Sequence, residues 1–129
     1  RSFKLLLANN FKLAWKLNLN GTYIPAFNRS LKHQLYPKRN NFLVIGSSHN
    51  LSEINIKIKQ GCKLIFLSPI FKVSKSKTYL GLFNFRSICN QTKSKIIALG
   101  GINKKNIKKL KITRSVGFAS ISYIKKTAQ

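Results

Sequence analysis

Short runs of continuously apolar residues recur along the chain, each followed by a segment with helical spacing, and that alternation leaves few folds open. The runs fall at 3–7, 21–24, 42–46, 63–67, 95–99 and 115–119. They are too short for helices and are bounded by Gly, Asn, Ser and Pro, so they read as strands. Their apolar residues are contiguous, as expected when both faces of a strand are covered. Helices are expected at 10–17, 30–35, 51–60, 82–90 and 103–110, with a last one starting at Ser122. The first carries an apolar stripe of Phe11, Leu13, Ala14 and Leu17. Pro37 stops the second, Gly61 closes the third, and Asn50 with Glu53 has the spacing of a capping box. Strand followed by helix, repeated six times, predicts a parallel sheet in one domain spanning residues 1–129.

Charge excludes much of catalytic chemistry. Lys and Arg total 25 against one acid, Glu53, for a formal charge of +24. A single carboxylate cannot form an acid–base pair, and the capping box accounts for Glu53. Ser-His-Asp and Cys-His-Asp constellations fail for want of a second acid. His33 and His49 are too isolated to build a metal cluster, and His49, just after a strand end, stands at a functional location of a parallel α/β fold but reads more readily as a helix-start or packing residue. Cys62 and Cys89 read as reduced, packed thiols. No apolar run approaches the ~20 residues of a membrane helix. Lys4, Lys12 and Lys16 interrupt the N-terminal segment, which lacks a signal-peptide pattern, so a cytoplasmic protein is expected. The chain begins at Arg1 and not at methionine, as a fragment or processed form would. The lysine excess is spread over every expected helix, alongside abundant Asn, Ile, Phe and Leu, as compositional drift in an AT-rich genome would give. The alternative is a non-catalytic, lysine-rich module that binds nucleic acid.

Phosphate handling is the chemistry left. Ile96-Ile97-Ala98-Leu99-Gly100-Gly101-Ile102-Asn103 is an apolar run ending in two glycines before a helical segment. Val116-Gly117-Phe118-Ala119-Ser120-Ile121-Ser122 ends in small polar residues. Glycine lets backbone approach a ligand, and a helix start offers free N–H groups, so these turns are expected to form a phosphate cup. The loop at 68–81 alternates hydroxyls with Lys72, Lys75 and Lys77, which can donate hydrogen bonds and charge to anionic oxygens.

In their order and spacing these segments resemble the thiamine phosphate synthase and TenI family, over about Leu5 to Ile124. Ser68-Pro69-Ile70-Phe71 and then Ser74-Lys75-Ser76-Lys77 are similar to its Gly-Pro-Ile-Phe and Thr-x-Thr-Lys stretches. Leu99-Gly100-Gly101-Ile102 resembles its Ile-Gly-Gly-Ile turn, and Ser120-Ile121-Ser122-Tyr123-Ile124 its closing Val-Val-Ser-Ala-Ile. Gly46-Ser47-Ser48-His49 resembles its Val-Ser-Thr-His segment. The resemblance implies a (β/α)8 TIM barrel, present as a partial barrel of about six βα units, the third to the eighth. The two absent units would include a Gln-x-Arg-x-Lys pyrophosphate clamp.

The implied activity is a transferase reaction of thiamine biosynthesis. It joins hydroxymethylpyrimidine diphosphate to thiazole phosphate and releases pyrophosphate. Carried over by position, the catalytic residues are Lys77, at the pyrophosphate, and Ser47, near the pyrimidine. Substrate-binding positions are Asn9, Ser74, Ser76, Gly100, Gly101, Ile121 and Ser122. Phosphorylated thiazole and pyrimidine molecules are the implied partners, and an oligomer is compatible with the pattern. The family's cofactor is Mg2+, held by two aspartates whose places are taken here by Asn10 and Asn28, and neutral amides are poor replacements for carboxylates. Pro69 stands where the TenI branch places a histidine, so its ring isomerisation is not implied.

Overall fold

In the computed structural model, which describes residues 3–119, all six apolar runs pair into one parallel sheet. The strands are β1 (Leu6–Ala8), β2 (Gly21–Ile24), β3 (Leu43–Ser48), β4 (Leu64–Leu67), β5 (Lys95–Leu99) and β6 (Gly117–Ala119). They lie side by side in sequence order. Every crossover therefore steps the same way, which is the winding of a β/α barrel wall and not of a doubly wound sheet, whose order reverses midway. The expected α/β architecture is what the described residues form, as six parallel strands of a barrel wall joined by crossover segments.

Register separates the two faces. Thr22, Val44, Ile65 and Ile96 lie on one face, and Ile24, Gly46, Leu67 and Ala98 continue it. Helices α2 (Leu51–Lys59) and α3 (Gly81–Asn90) cover this side, where Ile54 and Phe85 join Ile65, Leu67, Ile96 and Ala98 in the core. The hydroxyls buried there bond to neighbouring strands: Thr22 Oγ1 donates to Leu7 O and Ser48 Oγ to Phe66 O, each at 2.8 Å. The opposite face carries Tyr23, Ile45, Ser47, Leu64, Phe66, Ile97 and Leu99, most of them half-buried. Tyr23 and Phe66 meet across it with ring centroids 6.1 Å apart.

Helix ends follow local chemistry. Asn10 caps α1 (Phe11–Lys16) by accepting Leu13 N–H at 3.1 Å, and Asn50 caps α2 by accepting Glu53 N–H at 2.9 Å. The Glu53 carboxylate reaches one residue further back than a capping box requires, accepting from His49 N at 3.0 Å and Nδ1 at 2.9 Å. His49 thus serves the helix start, as expected. Gly61 ends α2 at φ +84, with Gly61 N–H on Ile58 O and Cys62 N–H on Lys57 O. That is the Schellman pattern.

Two expected helices come out differently. Only Lys32–Leu35 of 30–35 forms a turn of 3-10 helix, without a side-chain cap. At 103–110 no α-helix forms, and a 3-10 helix occupies Ile107–Ile112 instead. Asn103 Oδ1 takes Lys105 N–H at 2.8 Å and Asn106 N–H at 3.1 Å, while Asn106 Oδ1 takes Asn103 N–H at 2.8 Å. These side chains compete with the helical ladder, and Lys104/Lys108 and Lys105/Lys109 repel at i,i+4 with no acid to balance them. β1 starts at Leu6 and leaves Phe3 and Leu5 exposed, β3 runs on to Ser48, and β6 starts only at Gly117. The helix expected from Ser122 lies outside the described residues.

Candidate functional site

Because all strands run parallel, every loop after a strand opens on the same rim, where a β/α barrel carries its chemistry. Asn9 follows β1, Asn28 lies beyond β2, and Ser47 sits near the end of β3. The segment 68–80 follows β4, and Gly100 and Gly101 follow β5. Ile121 and Ser122, the expected second half of the phosphate cup, lie outside the described residues.

The loops after β4 and β5 are bound together by backbone. Ile70 N–H donates to Leu99 O at 3.0 Å and Phe71 N–H to Gly100 O at 3.1 Å. Returning to the loop's start, Leu80 N–H donates to Pro69 O at 2.8 Å and Gly81 N–H to Ile70 O at 2.9 Å. Ile70 is fully buried beneath this lacing. The glycines make the contact possible. A Cβ on Gly100 would lie 2.7 Å from Pro69 Cα, and one on Gly101 would lie 2.6 Å from Lys72 O. Both have positive φ, +104 and +71. The close approach that the sequence suggests for a ligand is therefore made by the β4 loop itself. Beyond Lys72 the loop folds on itself, with a bridge between Val73 and Ser76, and Ser76 Oγ donates to Thr78 O at 2.9 Å. This leaves Ser74, Lys75 and Lys77 exposed.

A second group forms after β1 and β2. Asn9, at φ 54, accepts at Oδ1 from Asn28 Nδ2 at 2.8 Å. Asn28 Oδ1 accepts Ser30 N–H at 2.9 Å. Beneath them lies a pair that motif and spacing do not single out. Lys57 and Gln60 are almost wholly buried. Lys57 Nζ donates at 2.8 Å to both Asn28 O and Gln60 Oε1. Gln60 Nε2 donates to Asn28 O at 2.8 Å and to Ser30 O at 2.9 Å. The sequence holds one signal for them: Lys57 falls three residues after Ile54, on the buried stripe of α2. Burial lowers the Lys57 pKa, partly offset by Cys62 and Glu53. The same burial pushes the Cys62 thiol up to about 11.

These residues do not fit Mg2+. The oxygens at the implied positions are already engaged: Asn10 Oδ1 by the helix start, Asn28 Oδ1 by Ser30, and Asn28 O by Lys57 and Gln60. The chain's only acidic side chain, Glu53, accepts from His49. Among the described residues no cluster of three His, Cys, Asp or Glu occurs, and no helix is long and apolar enough to cross a membrane.

At the opposite end of the sheet, before β3 and β4, lies a cleft of about 350 Å3 among Phe11, Trp15, His33, Tyr36, Arg39 and Phe42. Its rings pack on one another, with Phe11 4.9 Å from His33 and 5.1 Å from Phe42, and the Arg39 guanidinium 3.6 Å above Trp15. The cluster fastens α1 to the 36–42 segment, away from the rim.

A parallel, singly wound sheet whose rim gathers a lysine- and hydroxyl-bearing loop against a double-glycine turn defines a β/α-barrel type of protein. The model of the thiamine monophosphate synthase family (TMP-TENI) matches residues 1–124, and the chain belongs to that family. It is 31% identical over 122 residues to a protein of Aquifex aeolicus (strain VF5) named "Putative thiamine-phosphate synthase 2", covering 92% of this chain and 64% of that one. Over 85 residues it is 42% identical to the thiamine-phosphate synthase of Prochlorococcus marinus (strain SARG), covering 63% of this chain and 23% of that one. The solved thiamine phosphate pyrophosphorylase from Pyrococcus furiosus superposes with TM-score 0.70 at 20% identity, over 90% of this chain and 55% of that chain. The chain therefore spans less than two thirds of the length of each.

Proposed function

We propose that this chain acts in thiamine biosynthesis as a thiamine-phosphate-synthase-like transferase. It would join hydroxymethylpyrimidine diphosphate to thiazole phosphate with loss of pyrophosphate, in the cytoplasm. The observation that carries the reading is the lacing of the β4 loop onto Gly100 and Gly101. It fixes the base of a loop whose exposed part holds Ser74 and Lys77 at the rim. In this reading the rim residues do three things. Lys77 meets the charge that builds on departing pyrophosphate, which lowers the barrier only because the charge grows as the bond breaks. Ser74, Ser76 and the backbone around Gly101 hold the thiazole phosphate, with Ile121 and Ser122 completing the grip. Ser47 and Asn9 stand on the pyrimidine side, and holding both substrates at one rim turns a two-body encounter into a local one.

The test is calorimetric titration of thiamine phosphate into the chain, together with Ser74→Asp, which places a carboxylate beside the bound phosphate. Saturable binding, weakened about tenfold or more in the variant, is expected for a like charge within contact distance. No saturable binding, or equal binding in the variant, would overturn the reading. Formation of thiamine phosphate from the two substrates, followed by chromatography, then tests turnover.

A further inference from the structure

We propose that this chain holds the diphosphate without a divalent cation, using the Lys72, Lys75 and Lys77 loop in place of the aspartate-held Mg2+ that the family resemblance implies. The inference rests on the function proposed above and deepens it.

A dication bridging protein and diphosphate is usually held on the protein side by one or two carboxylates, in near-octahedral geometry. Here the places implied for the aspartates hold amides, and those amides have other work. Asn10 closes the first turn of α1. Asn28 is tied on three sides, by Ser30 N–H at its Oδ1, by Asn9 at its Nδ2, and by Lys57 and Gln60 at its carbonyl. The pair Lys57–Gln60, almost wholly buried, places an amine 2.8 Å from that carbonyl. A cation entering there would have to displace a built hydrogen-bonded network. Among the described residues no buried side-chain polar atom lacks a partner. The wider field points the same way. A chain of formal charge +24 repels a dication and attracts the bare anion, and the exposed ammonium groups supply locally what Mg2+ would.

The experiment is calorimetric titration of inorganic pyrophosphate into the 129-residue chain at fixed ionic strength, once with a chelator and once with millimolar Mg2+. Lys77→Ala is run alongside. Saturable binding in chelator is expected, about tenfold weaker in Lys77→Ala, and unchanged or weakened by Mg2+, which sequesters the free anion. Binding that appears, or tightens about tenfold, only with Mg2+ overturns the inference and leaves the proposed function standing. Binding in chelator that ignores Lys77→Ala is attraction to scattered surface lysines and overturns it as well. Absence of binding in both conditions overturns the proposed function, and the inference with it.

Discussion

Two glycines with nearly the same φ separate strain from contact. Gly81, at +76, has nothing within 4 Å of where a Cβ would stand, whereas Gly101, at +71, would drive a Cβ to 2.6 Å from Lys72 O. Gly81→Ala should cost about 1 kcal/mol, the left-handed backbone term alone. Gly101→Ala adds a collision with backbone that cannot rotate away and should cost about 3 kcal/mol or more, loosening the β4 loop. Urea unfolding of both variants measures this; equal losses would mean that the loop yields without resistance. The buried thiols give a second residue-scale test. Burial pushes Cys62 and Cys89 from 9.0 up to about 11. A raised folded-state pKa means that the stability these groups contribute is whole below 9.0 and is lost as pH climbs to about 11, because the unfolded chain deprotonates first. Lys57 pulls the other way: its lowered pKa makes folding easier as pH rises from the folded-state value towards 10.5. Unfolding midpoints should fall across the thiol window and fall less in a Cys62→Ala/Cys89→Ala variant. A variant that falls as steeply as the parent would exclude the thiols as the cause.

Elements were legible where local chemistry and packing agree. Gly21–Ile24 and Lys95–Leu99 occupy the expected positions, because their apolar runs are bounded on both sides and covered by neighbours on the sheet. α2 was legible from Asn50 at one end and Gly61 at the other. Asn50→Ala should therefore cost about 1 kcal/mol, with the loss confined to α2, and hydrogen exchange of the 51–54 amides would locate it. Undiminished protection there would assign the cap no role. The 103–110 segment failed for a physical reason: its spacing is helical, but Asn103 and Asn106 offer the backbone a competing set of bonds, which periodicity does not register. The candidate site was legible only in part. Gly100-Gly101 and the β4 loop were each visible as turn chemistry, yet that they meet is a consequence of β4–β5 pairing. Lys57 was hidden because a lysine on an apolar stripe reads as a solvated interruption; only tertiary structure supplies the carbonyl of Asn28 and the amide of Gln60 that let it stay buried. The Asn9–Asn28 pair joins the ends of neighbouring strands and has no signature along the chain.

At the scale of the molecule, one quantity opposes another. Charge of +24 with a single acid means that the fold assembles against its own repulsion. Within the described residues, β1 and β6 stand at the edges of the sheet, and Leu5, Val116 and Phe118 are exposed beside them. Edges with apolar neighbours invite pairing between copies, and like charge is one of the devices that prevents it. Salt weakens both long-range repulsion within a chain and repulsion between chains, since the screening length shrinks from about 30 Å at 0.01 M to about 10 Å at 0.1 M. Two consequences should appear in one titration. As salt rises from the lower value, the thermal midpoint should climb by several degrees, the response of a chain this size to about 1 kcal/mol of relieved repulsion. At higher salt still, sedimentation should show larger species as the edges lose their electrostatic guard. Lysine placed on the edge itself would behave differently from lysine elsewhere: removing Lys4, beside β1, should bring association to lower salt, whereas removing Lys93, in the turn before β5, should not. If the two variants associate at the same salt concentration as each other, position on the edge makes no difference and the edges have no part in the threshold.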